Sequence, residues 1–187
     1  MTSPAATWDT AEPARSSLSL VSFKDRLAAI AREQAVSGGT IRYALAGEGS
    51  ETILFLHGIP LSMTTWQDLF FLLAKRYRVL AIDMPGFGRS GKAFGDYSLD
   101  ATSHRVAELC AILDIERAHV AGSSFGAAVA VVLALNHPRL VDRLLLVNSV
   151  GIAGGTHSVE QAARIGLIRS AVRSVLVRQK IGRFVFR

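Results

Sequence analysis

Gly122-Ser123-Ser124-Phe125-Gly126 decides how the rest of this chain is read. An apolar run at 118–122 leads into it and an apolar stretch at 124–136 follows it, so the pentapeptide joins a buried strand to a helix across one sharp turn. Such a turn crowds backbone and neighbouring side chains together, and Gly122, Gly126 and Ala127 leave the space it needs. The spacing puts Ser124, not Ser123, at the apex, with its hydroxyl lifted clear of the backbone as a candidate nucleophile. The first residues of a helix have unpaired N–H groups, so Phe125, through its backbone alone, is a candidate donor to an oxyanion beside Ser124.

Working outward, strand and helix patterns alternate. Residues 40–46 read as a strand, 47–50 as a turn, and 52–56 as a strand whose uninterrupted apolar run predicts burial on both faces. Thr64-Thr65-Trp66-Gln67 predicts a capping box, with Trp66, Leu69, Phe70 and Leu73 as the apolar stripe of the helix behind it. Residues 78–83 form the next strand, and Met84-Pro85-Gly86-Phe87-Gly88 turns the chain away from the sheet. Ser98 caps a helix with the stripe Val106, Leu109, Cys110 and Leu113, whose polar face carries His104, Arg105 and Glu108; 143–148 is a further strand. This order predicts an α/β fold, a mostly parallel sheet with helices on both faces and ligands at the carboxyl ends of the strands.

The ends read differently. Residues 1–17 lack hydrophobic periodicity and are expected to be a disordered lead, and Phe23, Leu27 and Ile30 within 18–39 predict an amphipathic helix ending near Gly38-Gly39. The core is expected over 40–157. Net charge is +6, but 161–187 hold seven Lys or Arg and no acid, which leaves 1–160 at −1. That distribution excludes a nucleic-acid-binding face, where cations spread over a surface and interleave with aromatics. The longest strongly apolar stretch, 127–135, is far short of the roughly 18 residues a membrane span requires. Cys110 is the only cysteine, so no intrachain disulfide forms, and with no secretory pattern at the N-terminus the cytoplasm is the expected location.

His57-Gly58-Ile59-Pro60 follows the 52–56 strand, where glycine lets the backbone turn so that the Ile59 N–H becomes the second candidate oxyanion donor. His57 belongs to that side of the site and is read as structural. Asp83, at a strand end beside Met84-Pro85-Gly86, is read as capping turn amides. Leu56-His57-Gly58-Ile59-Pro60, Asp83-Met84-Pro85-Gly86-Phe87-Gly88-Arg89-Ser90 and Gly122-Ser123-Ser124-Phe125-Gly126, in this order, resemble the α/β-hydrolase family over about residues 40–149. The resemblance implies a serine hydrolase cleaving an ester, amide, lactone or a C–C bond beside a ketone in a small-molecule substrate. Ser124 is then the nucleophile, Ile59 and Phe125 form the oxyanion hole, and His57, Gly58, Gly122 and Gly126 support it; no cofactor and no metal are expected. Dehalogenation is disfavoured, because its nucleophile is an aspartate where this chain has Ser124.

In that family the acid follows a later strand and the histidine follows the last one. Neither has a match here: Asn148 and Ser149 offer no carboxylate, and of the histidines only His157 sits in a stretch loose enough to swing toward the site. The expectation is a chain truncated before its catalytic partners, with little turnover. Residues 158–187 are read as the start of a lid, a helix with solvated arginines rather than a membrane-surface anchor. The alternative is a non-catalytic interaction module that self-associates or takes a completing segment along an exposed strand edge.

Overall fold

The computed structural model describes residues 23–149. Helix α1 (Phe23–Ile30) leads into strands β1 (Ala31–Val36), β2 (Gly39–Ala46) and β3 (Thr52–Leu56). A 3-10 turn (Met63–Trp66) runs into α2 (Gln67–Leu73); β4 (Arg78–Ile82), α3 (Leu99–Ile112), β5 (Ala118–Ser123), α4 (Phe125–Asn136) and β6 (Val141–Val147) follow. The six strands form one sheet in the order β1-β2-β4-β3-β5-β6. β1 pairs antiparallel with β2 and β2 with β4, whereas β3 runs parallel to β4 and β5, and β5 parallel to β6. The α/β fold with a mostly parallel sheet, expected from the alternating patterns, is therefore present.

The uninterrupted apolar run of β3 has a direct cause, because successive side chains feed opposite faces of the sheet. Leu54 and Leu56 enter a core with Leu80, Ile82 and Val120 that α3 and α4 close through Val106, Leu109, Cys110, Val129 and Leu133. Phe55 enters the opposite core with Val79, Ala81, Leu27 and Phe70. There it stacks on Trp66 with ring centroids 4.7 Å apart. The central strands β3, β4 and β5 are thus packed on both faces, and their carboxyl ends carry the loops described below.

Two local expectations are corrected. The helix within 18–39 ends at Ile30, and the next residues form β1, whose register Val36↔Gly39 makes Ser37-Gly38 a hairpin turn instead of a helix terminus. The sheet thus starts before residue 40. The Thr64–Gln67 capping box does not form: Ser62 Oγ pairs with Thr64 Oγ1 at 2.7 Å, and the helix start has no side-chain cap. Its buried stripe is Met63, Trp66 and Phe70, while Leu69 is exposed. On α3, the polar face that carries Arg105 and Glu108 is bonded to other parts of the chain. Arg105 donates to the carbonyls of Ser37, Phe94 and Asp96, and Glu108 accepts from the Ser37 N–H at 2.9–3.0 Å, which ties the hairpin turn to the helix.

Ser98 does cap α3, accepting from the Ala101 N–H at 3.2 Å. Among the described residues no helix is long and apolar enough to cross a membrane. The lead at 1–17, His157 and the lid at 158–187 lie outside the described residues.

Candidate active site

Ser124 stands between β5 and α4 with φ 52° and ψ −116°, left-handed backbone that a residue with a Cβ rarely adopts. Holding it costs about 1–3 kcal/mol, so the surroundings must enforce it. They do so from both sides. The Ser124 N–H donates to Val147 O of β6 at 2.9 Å, and its carbonyl accepts from the N–H groups of Ala127 (3.0 Å) and Ala128 (3.3 Å) as α4 begins. A methyl on Gly126 would overlap the carbonyls of Leu56 and His57, and one on Gly122 would overlap the Gly126 backbone. The strained turn is thus packed directly against the end of β3.

The loop after β3 meets the same point. A Cβ placed on Gly58 would lie 3.0 Å from Ser124 Cβ and 3.7 Å from Ser124 Oγ. Ile59 follows, half exposed, and among the described residues neither the Ile59 nor the Phe125 N–H donates to a protein acceptor. One N–H without such an acceptor thus follows Gly58 at the end of β3, and the other follows Ser124 at the start of α4. Phe87, from the loop after β4, bridges the two sides, with its ring centroid 6.1 Å from both His57 and Phe125.

His57 is fully buried. Its Nε2 accepts from the Met84 N–H at 3.0 Å, so the ring proton sits on Nδ1 and is donated to Gly58 O at 2.9 Å. Burial is the main cause that holds its pKa below 6.5, with the Gly58 hydrogen bond and Asp83 pulling the other way. A neutral imidazole with both nitrogens engaged welds the β3 loop to the β4 loop and has no lone pair left for a proton from Ser124.

Asp83 is equally buried. Its Oδ1 accepts from the Met63 N–H at 2.7 Å, its Oδ2 from the Arg89 N–H at 2.8 Å, and Arg42 lies 3.5 Å from Oδ2. Ser90 Oγ donates to the Asp83 carbonyl and accepts from the Arg42 N–H at 2.8 Å. The 83–90 segment is therefore a closed polar knot, from which Phe87 meets His57 and Phe125. Arg42 escaped the sequence reading as a site support, whereas Phe87 and Ser90 lie in the segment read there only as a loop motif. The Asp83-to-Ser90 motif marked the loop, but nothing in the chain order tells that β2 would bring Arg42 to it.

The remaining described histidines are elsewhere. His119 lies between Glu51 and Asp142 at the amino ends of the strands, and His104 faces His137 across α3 and α4. A cavity of about 590 Å³ between the carboxyl ends of α3 and α4, lined by Ala111, Ile115, His137 and Leu140 among others, does not reach Ser124. Among the described residues no cluster of three or more His, Cys, Asp or Glu side chains is placed to hold a metal ion.

Comparison with known proteins bears on this geometry. A family model described as alpha/beta hydrolase fold matches residues 51–172. The Mycobacterium tuberculosis protein Rv2715 is 38% identical over 130 residues, covering 70% of this chain and 38% of that protein. The 2-hydroxymuconate semialdehyde hydrolase of Pseudomonas sp. (strain CF600) is 40% identical over 106 residues, covering 54% of this chain and 37% of that one. The solved structure of the epoxide hydrolase CorEH without ligand matches with TM-score 0.63 and 28% identity, over 74% of this chain and 50% of that chain. This chain spans well under half the length of the curated relatives it matches.

Proposed function

The chain belongs to the α/β-hydrolase fold family, and from that premise we propose that it is a serine hydrolase acting on a small molecule through Ser124. One observation carries the reading: a strained serine at a strand-to-helix turn, with the Phe125 N–H beside it and the Ile59 N–H next to the Gly58 that packs on it, both without an acceptor among the described residues. In the proposed step Ser124 Oγ bonds to a carbonyl carbon while its proton passes to a base. The electron pair displaced onto the carbonyl oxygen is held by the Ile59 and Phe125 N–H groups. The oxyanion then collapses, the leaving group departs with a proton, and water releases the acyl group from Ser124. The similarity to a semialdehyde hydrolase fits such a hole, because it keeps carbonyl compounds, and with them C–C cleavage beside a ketone, among the candidate substrates.

No described histidine is available as the base, since each is held by the partners given above. An oxyanion hole with bound substrate still retains about 10³–10⁴ of acceleration over water when a triad is incomplete. Slow, stoichiometric modification of Ser124 is therefore expected from the 187-residue chain, with little turnover. Incubation with a fluorophosphonate followed by peptide mass spectrometry tests this. An adduct on Ser124 that disappears in Ser124→Ala supports the reading, whereas no adduct, or one that survives the substitution, overturns it.

A reducing, cytoplasmic setting is proposed with it. Burial pushes the lone thiol of Cys110 up to about 12, which keeps it protonated and inert. A second reading, self-association along β6, has its own support: Leu145 is 59% exposed on a strand that, among the described residues, pairs on one side only.

A further inference from the structure

α3 and α4 meet through a pair of histidines that the Ser124 chemistry does not use. His104 Nδ1 lies 3.0 Å from His137 Nε2, with the rings nearly perpendicular at 85° and their centroids 5.0 Å apart. A second contact fixes this crossing: Asn136 Nδ2 donates to Asp100 Oδ1 at 3.0 Å and to Ser103 Oγ at 3.2 Å. Asn136 adjoins His137, and Asp100 lies one helical turn before His104. The backbone under both imidazoles is therefore held in place while the rings remain open to solvent at their edge, His104 exposed and His137 half-buried.

The charge around the pair suits a cation. His137 is the residue that ends α4, whose last turn contains no basic side chain, so the partial negative charge of the helix end favours a cation beside it, with Arg139 two residues further on. Asp100 adds a carboxylate one turn from His104. We propose that His104 and His137 form a two-imidazole site for a divalent transition-metal ion, of the zinc, nickel or copper class, that braces α3 against α4.

The geometry requires little change. A tetrahedral ion at 2.0–2.1 Å from each nitrogen sets the two nitrogens about 3.3 Å apart, a modest opening of the present pair reached by rotating the two rings. In the metal-free pair one ring N–H bridges to the other nitrogen. When the ion takes that place, the proton moves to the other nitrogen of the same ring and both imidazoles stay neutral. No third His, Cys, Asp or Glu side chain converges on the pair among the described residues, so water fills the remaining positions. Two imidazoles with water suit zinc, nickel and copper and are a poor set for magnesium or calcium. At 1.5 Å per residue, α4 places this site about 20 Å from Ser124, so the ion acts on the helix that supports the serine and not on the reaction.

Calorimetric titration of the tag-free chain with zinc chloride, beside magnesium chloride, tests the site. The expected result is saturable zinc binding that weakens about tenfold or more in either His104→Gln or His137→Gln, is kept in His119→Gln, and is absent with magnesium. Circular dichroism verifies that each variant folds. A variant-free measurement stands beside it: zinc should protect His104 and His137 of the unaltered chain, but not His119, from carbethoxylation by diethyl pyrocarbonate. Folded single variants that bind zinc as tightly as the unaltered chain, or no protection of the two rings, would overturn the proposal.

Discussion

Gly58 and Ser124 are packed so closely that a methyl on the glycine would sit 3.0 Å from Ser124 Cβ. The glycine is therefore a spacer for the serine as well as a turn residue. Gly58→Ala is expected to leave the fold in place, because contacts of 3.0 Å with Ser124 Cβ and 3.2 Å with the Ser123 carbonyl are relieved by a shift of a few tenths of an ångström in the 57–60 loop, yet to slow fluorophosphonate modification of Ser124. Gly126→Ala should behave differently, since its methyl would meet the backbone carbonyls of Leu56 and His57, and backbone yields poorly. That substitution is expected to lower stability by about 1–3 kcal/mol. Chemical denaturation and the rate of Ser124 labelling, measured on both variants, separate the two effects; equal stability losses would contradict the assignment.

Asp83 gathers two N–H groups and a guanidinium in a fully buried place. Asp83→Asn keeps the shape but turns one acceptor oxygen into an NH2 facing N–H donors, and it leaves Arg42 without its carboxylate. A loss of about 3–5 kcal/mol is expected, as for removing one partner of a buried charged network. Urea unfolding checks it. A change below 1 kcal/mol, on the order of a surface substitution, would show that the knot does not hold the loop.

His57 makes stability depend on pH. Its folded pKa is depressed by burial, against the opposing pull of Asp83 and with Lys92 adding to the depression, so the folded chain binds its proton later than the unfolded chain does. Below 6.5 the unfolded state therefore takes up more protons, and stability falls with pH. The contribution is complete above that value and is lost progressively as pH descends toward the folded pKa. Asp96 and Asp142, held below 3.8, make their losses only at more acid pH. The urea midpoint should decline between pH 7 and pH 5. His57→Gln, less stable throughout, should decline less steeply over the same interval, the remaining slope including that of His137, which partial burial and His104 also depress. An unchanged slope in His57→Gln would reject the account.

β6 presents Leu145 and Val147 to solvent at 59% and 37% exposure, on the strand that ends the sheet among the described residues. Unpaired N–H and C=O groups beside apolar side chains favour edge-to-edge association. Sedimentation velocity is expected to show concentration-dependent oligomers, and Leu145→Lys should shift them toward monomer. A monomer at all concentrations, or oligomers indifferent to the lysine, would count against this edge as the contact.

How far the sequence carried can be seen element by element. β3 was read with its observed ends, 52–56, because an apolar run between a turn and a His-Gly-Ile-Pro loop has few other readings. β5 and α4 were read to within a residue, because glycine and serine mark the turn between them. β1 was missed. Ala31-Arg32-Glu33-Gln34-Ala35-Val36 has almost no β-branched or aromatic content, and its strand character comes from pairing with β2. The polar face of α3 was legible as polar but not as bonded, since the partners of Arg105 lie on the hairpin turn and the 94–96 loop.

The sequence by itself determined that Ser124 sits at the apex of a tight strand-to-helix turn. Small residues at 122, 126 and 127 are a local requirement of that turn, and local requirements are written in adjacent residues. Tertiary structure alone decided what surrounds the serine: that Gly58 touches it, that His57 spends both nitrogens on Gly58 and Met84, that Arg42 reaches Asp83, and that His104 meets His137. Each of these, apart from the His57 bond to its own neighbour, joins residues far apart in the chain. The strand order β1-β2-β4-β3-β5-β6 sets those distances, and that order follows from how two buried faces are packed.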